Sequence, residues 1–239
     1  QISKGNIFKY QKDSDVAVYF KDNSVSMSLA ELSKADTKYS YGEDADVSYG
    51  DGTIKAFGQK IIEADELFLP GPHNLQNAAA AICAVWQFTS DIETIAQILK
   101  TFRGLPYHIE EVASKNGVTY YNDSFSTNPS SAIAAVRSFD APQVLFFGGF
   151  DKQGDFTELA EELKKRKIRQ VITYGQTGAK IYDTFKKAGL KTVLHVEGDD
   201  FKKIVHEGIK SAQKGDVVLF SPACASMDMF TDYKNRGEI

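Results

Sequence analysis

The chain has 239 residues, 42% hydrophobic and 25% charged, enough for one large or two ordinary domains with cores of their own, and without a signature of disorder. Its formal net charge of -4 provides no basic field, which argues against nucleic acid or an anionic membrane as a partner. Only Cys83 and Cys224 occur, without metal-ligand or disulfide-framework spacing, so a disulfide scaffold is excluded and a reducing, cytoplasmic setting is expected.

Residues 15–70 alternate and turn often, in "DVAVYF", "KYSYG", "DVSYGDGTIKAF" and "IIEADELFLP", and read as mostly strand, with "GDG" at 50–52 as a hairpin turn. The Ala-rich "HNLQNAAAAICAVWQF" (73–88), free of Gly and Pro, reads as a buried helix. Ser90 followed by Glu93 has capping-box spacing and opens a second helix through "IETIAQILKTF". "RGLP" (103–106) breaks the pattern and is the expected boundary between a domain over 1–103 and one over 104–239. Beyond it, apolar runs at 118–121, 143–149, 170–175, 192–196 and 217–221 alternate with helical segments near 129–139, 156–167, 177–188, 199–213 and 224–235. Such alternation predicts an α/β fold, a doubly wound parallel sheet with ligands at the carboxyl ends of its strands. The basic run "KKRKIR" (164–169) reads as a solvated helix end. No apolar run has spanning length and no secretory leader is read. Because the chain begins at Gln1 rather than Met, a fragment with further sequence upstream is expected.

The motifs of the second half fall at those strand ends. "GGFDKQGDF" joins two glycines, which let backbone amides approach a ligand, to Lys152, whose ammonium can meet a carboxylate or phosphate; plain turn chemistry is the competing reading. In "NDSFSTNP", Ser126 to Asn128 read as caps for a helix opening at Pro129, whereas Asp123 at a strand end is well placed for a ribose hydroxyl. Asn74 and Asn77 lie i and i+3 on one helix face, where two amides can address one planar ring or cap the helix, and His73 beside them has the same two readings. Cys224, in "SPACAS", raises the possibility of a thiol nucleophile. None of His73, His108, His195 and His206 is identifiable as its base, so a small, buried helix-start residue is the better reading.

Taken in order, "SKGNIFKYQ" (3–11), "GPHNLQNAAAA" (71–81), "GLPYHIEEV" (104–112), "YNDSFSTNP" (121–129), "LFFGGFDKQGDF" (145–156) and "LFSPACASMDMFTDYKNRG" (219–237) resemble the Mur ligases, ATP-dependent amide-bond-forming enzymes of peptidoglycan precursor synthesis, and among them those that add D-glutamate to UDP-N-acetylmuramoyl-L-alanine. The resemblance implies a truncated central ATPase domain over 1–103, with a mixed sheet and helices, followed by a Rossmann-like amino-acid-binding domain over 104–239. It implies ATP and Mg2+, with Lys4 at the position of a carbamylated lysine that helps hold the cation, and a cytoplasmic monomer. Asn74 and Asn77 match the pair that addresses adenine, and Asp123 a ribose contact. Thr127, Lys152 and Ser226 match residues that bind the carboxylates of the incoming glutamate, with backbone help near Met227 and Tyr233. Lys4 and Lys152 are the implied catalytic residues.

Three departures qualify the resemblance. No GxxxxGK[ST] motif occurs, so this fragment is expected to be inactive alone. His108 stands where the family typically has an arginine that contacts the nucleotide, so His108 is the implied nucleotide contact without that permanent charge, next to Tyr107 where the family often has histidine, and Phe125 stands where it commonly has lysine. These leave open a related ligase for another amino acid, or a non-catalytic nucleotide-binding paralogue. Folylpolyglutamate synthetase, a cousin of similar layout, fits "SPACASMDMF" less well.

Overall fold

The structure, a computed structural model, describes residues 2–239 and forms two compact units, one ending at Arg103 and one spanning Gly104–Ile239. In the first unit the elements are α1 (Ile2–Lys9), β1 (Val16–Phe20), α2 (Ser24–Ala30), β2 (Thr37–Gly42), β3 (Val47–Ser48), β4 (Thr53–Ala56), β5 (Gln59–Glu63), α3 (Pro72–Trp86) and α4 (Ile92–Thr101). Their sheet runs β1-β2-β3-β4-β5, with parallel pairing among the first three strands and antiparallel pairing after them. Period-two burial in β4 turns Ile54 and Ala56 inward, where they meet Ala78, Ala79, Ile82 and Cys83 of α3. The Ala-rich face of α3 permits that close approach of helix to sheet.

Local chemistry explains where this unit differs from the expectations. The stretch read as mostly strand contains α2, whose N-cap Asn23 accepts from the Ser26 amide. The chain also turns between β4 and β5 at Phe57 and Gly58, both with positive φ (50° and 79°), as a two-residue hairpin requires. Asp91, not Ser90, caps α4 by accepting from the Thr94 amide at 3.1 Å and the Thr94 hydroxyl at 2.7 Å; a carboxylate next to the first turn outcompetes the serine one residue earlier.

The second unit contains β6 (Glu110–Lys115), β7 (Val118–Asn122), α5 (Pro129–Arg137), β8 (Gln143–Gly148), α6 (Thr157–Leu163), β9 (Ile168–Tyr174), α7 (Gly178–Lys187), β10 (Val193–His195), α8 (Phe201–Ile209), β11 (Val217–Phe220) and α9 (Tyr233–Glu238). The sheet order is β10-β9-β8-β11-β7-β6. Every residue of β8 is buried because both faces of the sheet are covered. Leu145 and Phe147 pack with Val136, Leu159 and Phe185 on one face, while Val144 and Phe146 pack with Ile172 and Ile204 on the other. Each such large apolar side chain contributes roughly 1.5–3 kcal/mol on burial.

The five expected strands pair parallel throughout, but two features were not expected. A sixth strand, β6, pairs antiparallel with β7 at the edge across a turn at Asn116 and Gly117, which both take positive φ (56° and 76°). The other is that no helix spans 224–235. Ala223 is left-handed (φ 60°), Ala225 bridges to Phe150, and helix begins only at Tyr233. Cys224 is therefore a loop residue, not a helix-start residue. The basic run likewise divides: Lys164 ends α6, whereas Arg169 lies in β9 and forms a forked pair with Asp216 at 2.9 and 3.1 Å.

Helix α8 touches the sheet through Gly208, where an added Cβ would lie 2.2 Å from Phe146 Cζ. Gly208→Ala should therefore lower stability by about 1–3 kcal/mol through overpacking, reversing the gain of about 1 kcal/mol usual for that exchange in a helix. Denaturant unfolding of the two proteins checks the sign.

Candidate functional site

β11 lies between β7 and β8, and the chain leaves β8 outward through β9 and β10 before returning to it. The loops after these three central strands therefore surround a crevice at the point where the strand order reverses, the usual ligand position in such folds. Two of the loops are joined by hydrogen bonds. Gly148 N–H donates to Pro222 O at 2.9 Å, and Phe150 N–H donates to Ala225 O at 2.8 Å. The backbone is crowded here: a Cβ on Gly148 would lie 2.0 Å from Tyr174 O at the end of β9, and one on Gly149 2.2 Å from Ala225 O in the facing loop; both residues have positive φ, 153° and 140°. Glycine is required at both positions. The pairing is antiparallel, so Ser226, directly after Ala225, lies toward Gly149, while Lys152, two residues beyond Phe150, lies in the opposite direction; the joined loops form one rim at this sheet end. The third loop adjoins it, since a Cβ on Gly154 would lie 3.6 Å from Pro129 Cγ, two residues after Thr127.

Along this rim Lys152 is exposed, Thr127 and Tyr233 are half-buried, Ser226 is buried, and Met227 is exposed. No ion pair engages Lys152 among the described residues, so its ammonium is available to a ligand anion. Asn128 caps α5 by accepting from the Ser131 amide at 3.0 Å, whereas Ser126 caps no amide and donates through Oγ to Ser131 Oγ at 2.8 Å. A neighbouring cleft of about 370 Å³ is lined by Gly175, Gln176, His195, Glu197, Asp199 and Asp228, among others. Asp228 accepts from Gln176 N–H at 3.0 Å and so fixes the chain just after Met227.

Asp123 is buried, with Oδ1 accepting from Ile109 N–H at 3.2 Å and Oδ2 from the Ser221 hydroxyl at 2.7 Å. Desolvation pushes its carboxyl up to about 7, against the opposing hydrogen bonds of Ser221, Ile109 and Ser126. Both oxygens are thus committed within the protein rather than presented to solvent. His108 has its Nδ1 at 2.9 Å from Pro106 O, and its ring stacks on Phe125. Cys224 is buried, accepts from the Thr177 hydroxyl at 3.3 Å, and has its thiol raised to about 11, first by desolvation. A thiol so protonated at neutral pH is a packing group and not a nucleophile.

Sequence reasoning assigned no role to Arg236, which the structure places at the centre of these loops. It is 1% exposed and reaches from α9 to donate through Nε to Ser124 Oγ (3.0 Å), Nη2 to Ser124 O (2.8 Å) and Nη1 to Cys224 O (3.0 Å). Ser124 Oγ in turn donates to Tyr233 O at 2.8 Å. One guanidinium therefore ties the β7 loop and the β11 loop to α9. The only sequence signal was an arginine in the final motif, because every partner but Cys224 is distant along the chain.

In the first unit, Asn74 is buried at the start of α3, with Nδ2 donating to Pro70 O at 2.7 Å and Oδ1 accepting from Asn77 Nδ2 at 3.2 Å. The asparagines meet, as their spacing requires, but Asn74 is engaged in closing the turn, and Asn77 is the exposed member. Burial lowers the pKa of His73, whose Nδ1 has no partner. Lys4 is exposed on α1. No group of three or more His, Cys, Asp or Glu side chains is placed to hold a metal among the described residues, so these residues do not form a cation site by themselves.

Comparisons with known proteins agree over both units. The family description "Mur ligase middle domain" matches residues 2–85, and "Mur ligase, glutamate ligase domain" matches residues 109–224. A UDP-N-acetylmuramoylalanine–D-glutamate ligase of Caldicellulosiruptor bescii is 38% identical over 247 residues, covering 99% of this chain and 53% of the relative. One from Clostridium perfringens is 34% identical over 244 residues, covering 99% and 52%. The chain spans about half the length of the curated relatives it matches. Among solved structures, the MurF ligase from Thermotoga maritima in complex with ADP is similar at a TM-score of 0.66 and 21% identity, over 99% of this chain and 54% of that one. The folylpolyglutamate synthase of Mycobacterium tuberculosis, complexed with ADP and AMPPCP, is similar at 0.69 and 15%, over 92% and 56%. At these identities the structural likeness concerns the fold.

The raised Asp123 carboxyl has a measurable consequence. Between its ordinary value of 3.8 and about 7 the folded chain holds a proton that the unfolded chain releases, so stability falls as pH rises through that window. Asp123→Asn, which keeps the size of the side chain and cannot ionise, should flatten this part of the profile. Urea unfolding at pH 4.5, 6 and 7.5 reads the difference, and an unchanged slope would contradict the burial of a titrating carboxyl.

Proposed function

The chain belongs to the Mur ligase family, and on that premise we propose that it is the middle and C-terminal portion of an ATP-dependent ligase that adds D-glutamate to UDP-N-acetylmuramoyl-L-alanine in peptidoglycan precursor synthesis. The observation that carries the reading is the paired backbone of the β8 and β11 loops, which joins at one sheet end the loop that bears an unpaired Lys152 and the loop that bears Ser226. An amino acid with two carboxylates requires such an arrangement: a free cation, a hydroxyl, and backbone close enough to exclude water. The names of the curated relatives support D-glutamate as that amino acid.

In the reaction, phosphoryl transfer from ATP activates the acceptor's carboxylate as an acyl phosphate, and the amine of the incoming amino acid displaces phosphate from it. Lys152, Thr127 and Ser226 hold the amino acid's carboxylates, with Met227 and Tyr233 bordering them, and this orients the amine for attack. Asn77, with the buried Asn74 behind it, addresses the adenine. Asp123 supports the ribose-facing loop from within, through Ile109 and Ser221. Lys4, if carbamylated, would supply one oxygen ligand of the kind a hard cation such as Mg2+ prefers.

The test uses the whole protein that carries this chain. Phosphate release is measured with ATP and UDP-N-acetylmuramoyl-L-alanine while D-glutamate, L-glutamate and other amino acids are compared. Release selective for D-glutamate is expected, with Lys152→Ala raising the KM for the amino acid on the order of 10- to 100-fold, the worth of one charged hydrogen bond. Selectivity for another amino acid would retain the ligase and overturn its substrate. Release that ignores Lys152 would remove the rim from the account.

A further inference from the structure

Two of the departures from the family pattern, His108 and Phe125, touch in the fold. Their rings stack with centroids 4.1 Å apart and planes inclined by 27°. Phe125 meets Tyr233 edge to face at 5.0 Å and 82°, and Tyr233 meets Tyr107 likewise at 6.0 Å and 80°. Each contact of this kind contributes about 0.5–1.5 kcal/mol beyond its buried area.

The segment carrying His108 is held in an unfavourable conformation to make this contact. Tyr107 and Ile109, on either side of it, have φ of 66° and 49°, a region that a β-branched residue adopts only when its surroundings enforce it. The enforcement is visible: Tyr107 N–H donates to Glu110 Oε2 at 2.8 Å, Tyr107 O accepts from Phe125 N–H at 3.1 Å, and Ile109 N–H donates to Asp123 Oδ1 at 3.2 Å. The β7 loop thus grips the segment through backbone as well as rings. At the far end, Tyr233 is anchored through its carbonyl to Ser124.

We propose that Phe125 is a positioning residue for the amino-acid site: braced by His108 behind it, it holds the Tyr233 ring at the wall of the rim, and His108 and Phe125 act as one unit. The proposal rests on the amino-acid-binding reading given above and extends it. Where the family places an arginine and a lysine, this protein builds an uncharged aromatic wall, so recognition of the ligand's carboxylates passes to Lys152, Thr127 and Ser226. His108 then serves the amino acid's side of the site rather than the nucleotide.

The experiment again uses the whole protein, with Phe125→Leu, Phe125→Tyr, His108→Ala and the double variant Phe125→Leu/His108→Ala. Phe125 is 47% exposed, so these changes are compatible with folding, and thermal unfolding verifies it. Phe125→Leu is expected to raise the KM for the amino acid about 10-fold, with kcat and the KM for ATP within about 3-fold, on the scale of the lost ring contacts. Phe125→Tyr should restore it, His108→Ala should act in the same direction, and the double variant should be no worse than Phe125→Leu. A KM change confined to ATP, or single effects that multiply in the double variant, would overturn the proposal. The Tyr233 ring resonances, shifted by loss of the Phe125 ring current, give a second readout. If the wild-type protein uses no amino acid, the ligase reading falls, and the Tyr233 resonances still decide: unmoved in Phe125→Leu, they overturn the positioning role, and displaced by both single variants, they sustain it.

Discussion

The close approach of two backbones at Gly148, Gly149, Pro222 and Ala225 is the constraint on which the candidate site depends. Neither loop has a regular element to hold it, and each would otherwise leave polar groups unpaired near a crowded sheet end. Paired together, they satisfy one another and fix the positions from which Lys152 and Ser226 extend. A side chain at Gly149 would collide with Ala225 O of the facing loop, and one at Gly148 with Tyr174 O at the end of β9, so neither position admits one without displacing the junction. Thr177 reinforces the junction from α7 by donating to Gly149 O and to Cys224, which gives the cysteine a packing role consistent with its raised thiol.

Around that junction the second unit buries an unusual set of polar groups. Arg236 is enclosed with carbonyl and hydroxyl acceptors and makes no ion pair with a carboxylate among the described residues. Asp123 is enclosed with an amide and a hydroxyl as donors. Burying either group is costly, and the return is geometric: hydrogen bonds fix direction where apolar contacts do not. Arg236 sets α9 and Tyr233 against the β7 loop, and Asp123 sets the strained 107–109 segment against the same loop. The aromatic row from His108 to Tyr107 lies between these two anchors.

Much of this was legible in the sequence, and the illegible parts share a cause. β8 and β9 read as apolar runs because both faces of the sheet are covered, and α3 reads as a helix because its alanines permit close packing. The α/β class followed from such segments, and the family from the resemblance of the ordered motifs. By contrast, α2 is short and serine-rich; it is held by Asn23 and by the bond from Phe20 N–H to Ser26 Oγ, which no periodicity announces. β6 is almost wholly exposed, so it lacks the alternation of a half-buried strand, although Asn116–Gly117 marks its turn. The helix expected over 224–235 had suitable composition, but the carbonyl of Ala225 is taken by Phe150, a tertiary contact that outweighs local preference. Arg236 and the stack of His108 on Phe125 depend on residues far apart in the chain, so only the fold could join them.

Hydrogen–deuterium exchange of the whole protein, with a non-hydrolysable ATP analogue and UDP-N-acetylmuramoyl-L-alanine present, and with or without D-glutamate, tests most directly whether the joined loops form the amino-acid site. The account predicts that D-glutamate slows exchange in peptides covering 124–129, 148–156 and 221–233. Slowed exchange confined to the neighbouring cleft at 195–199, or no change in the three loops at saturating D-glutamate, would contradict it.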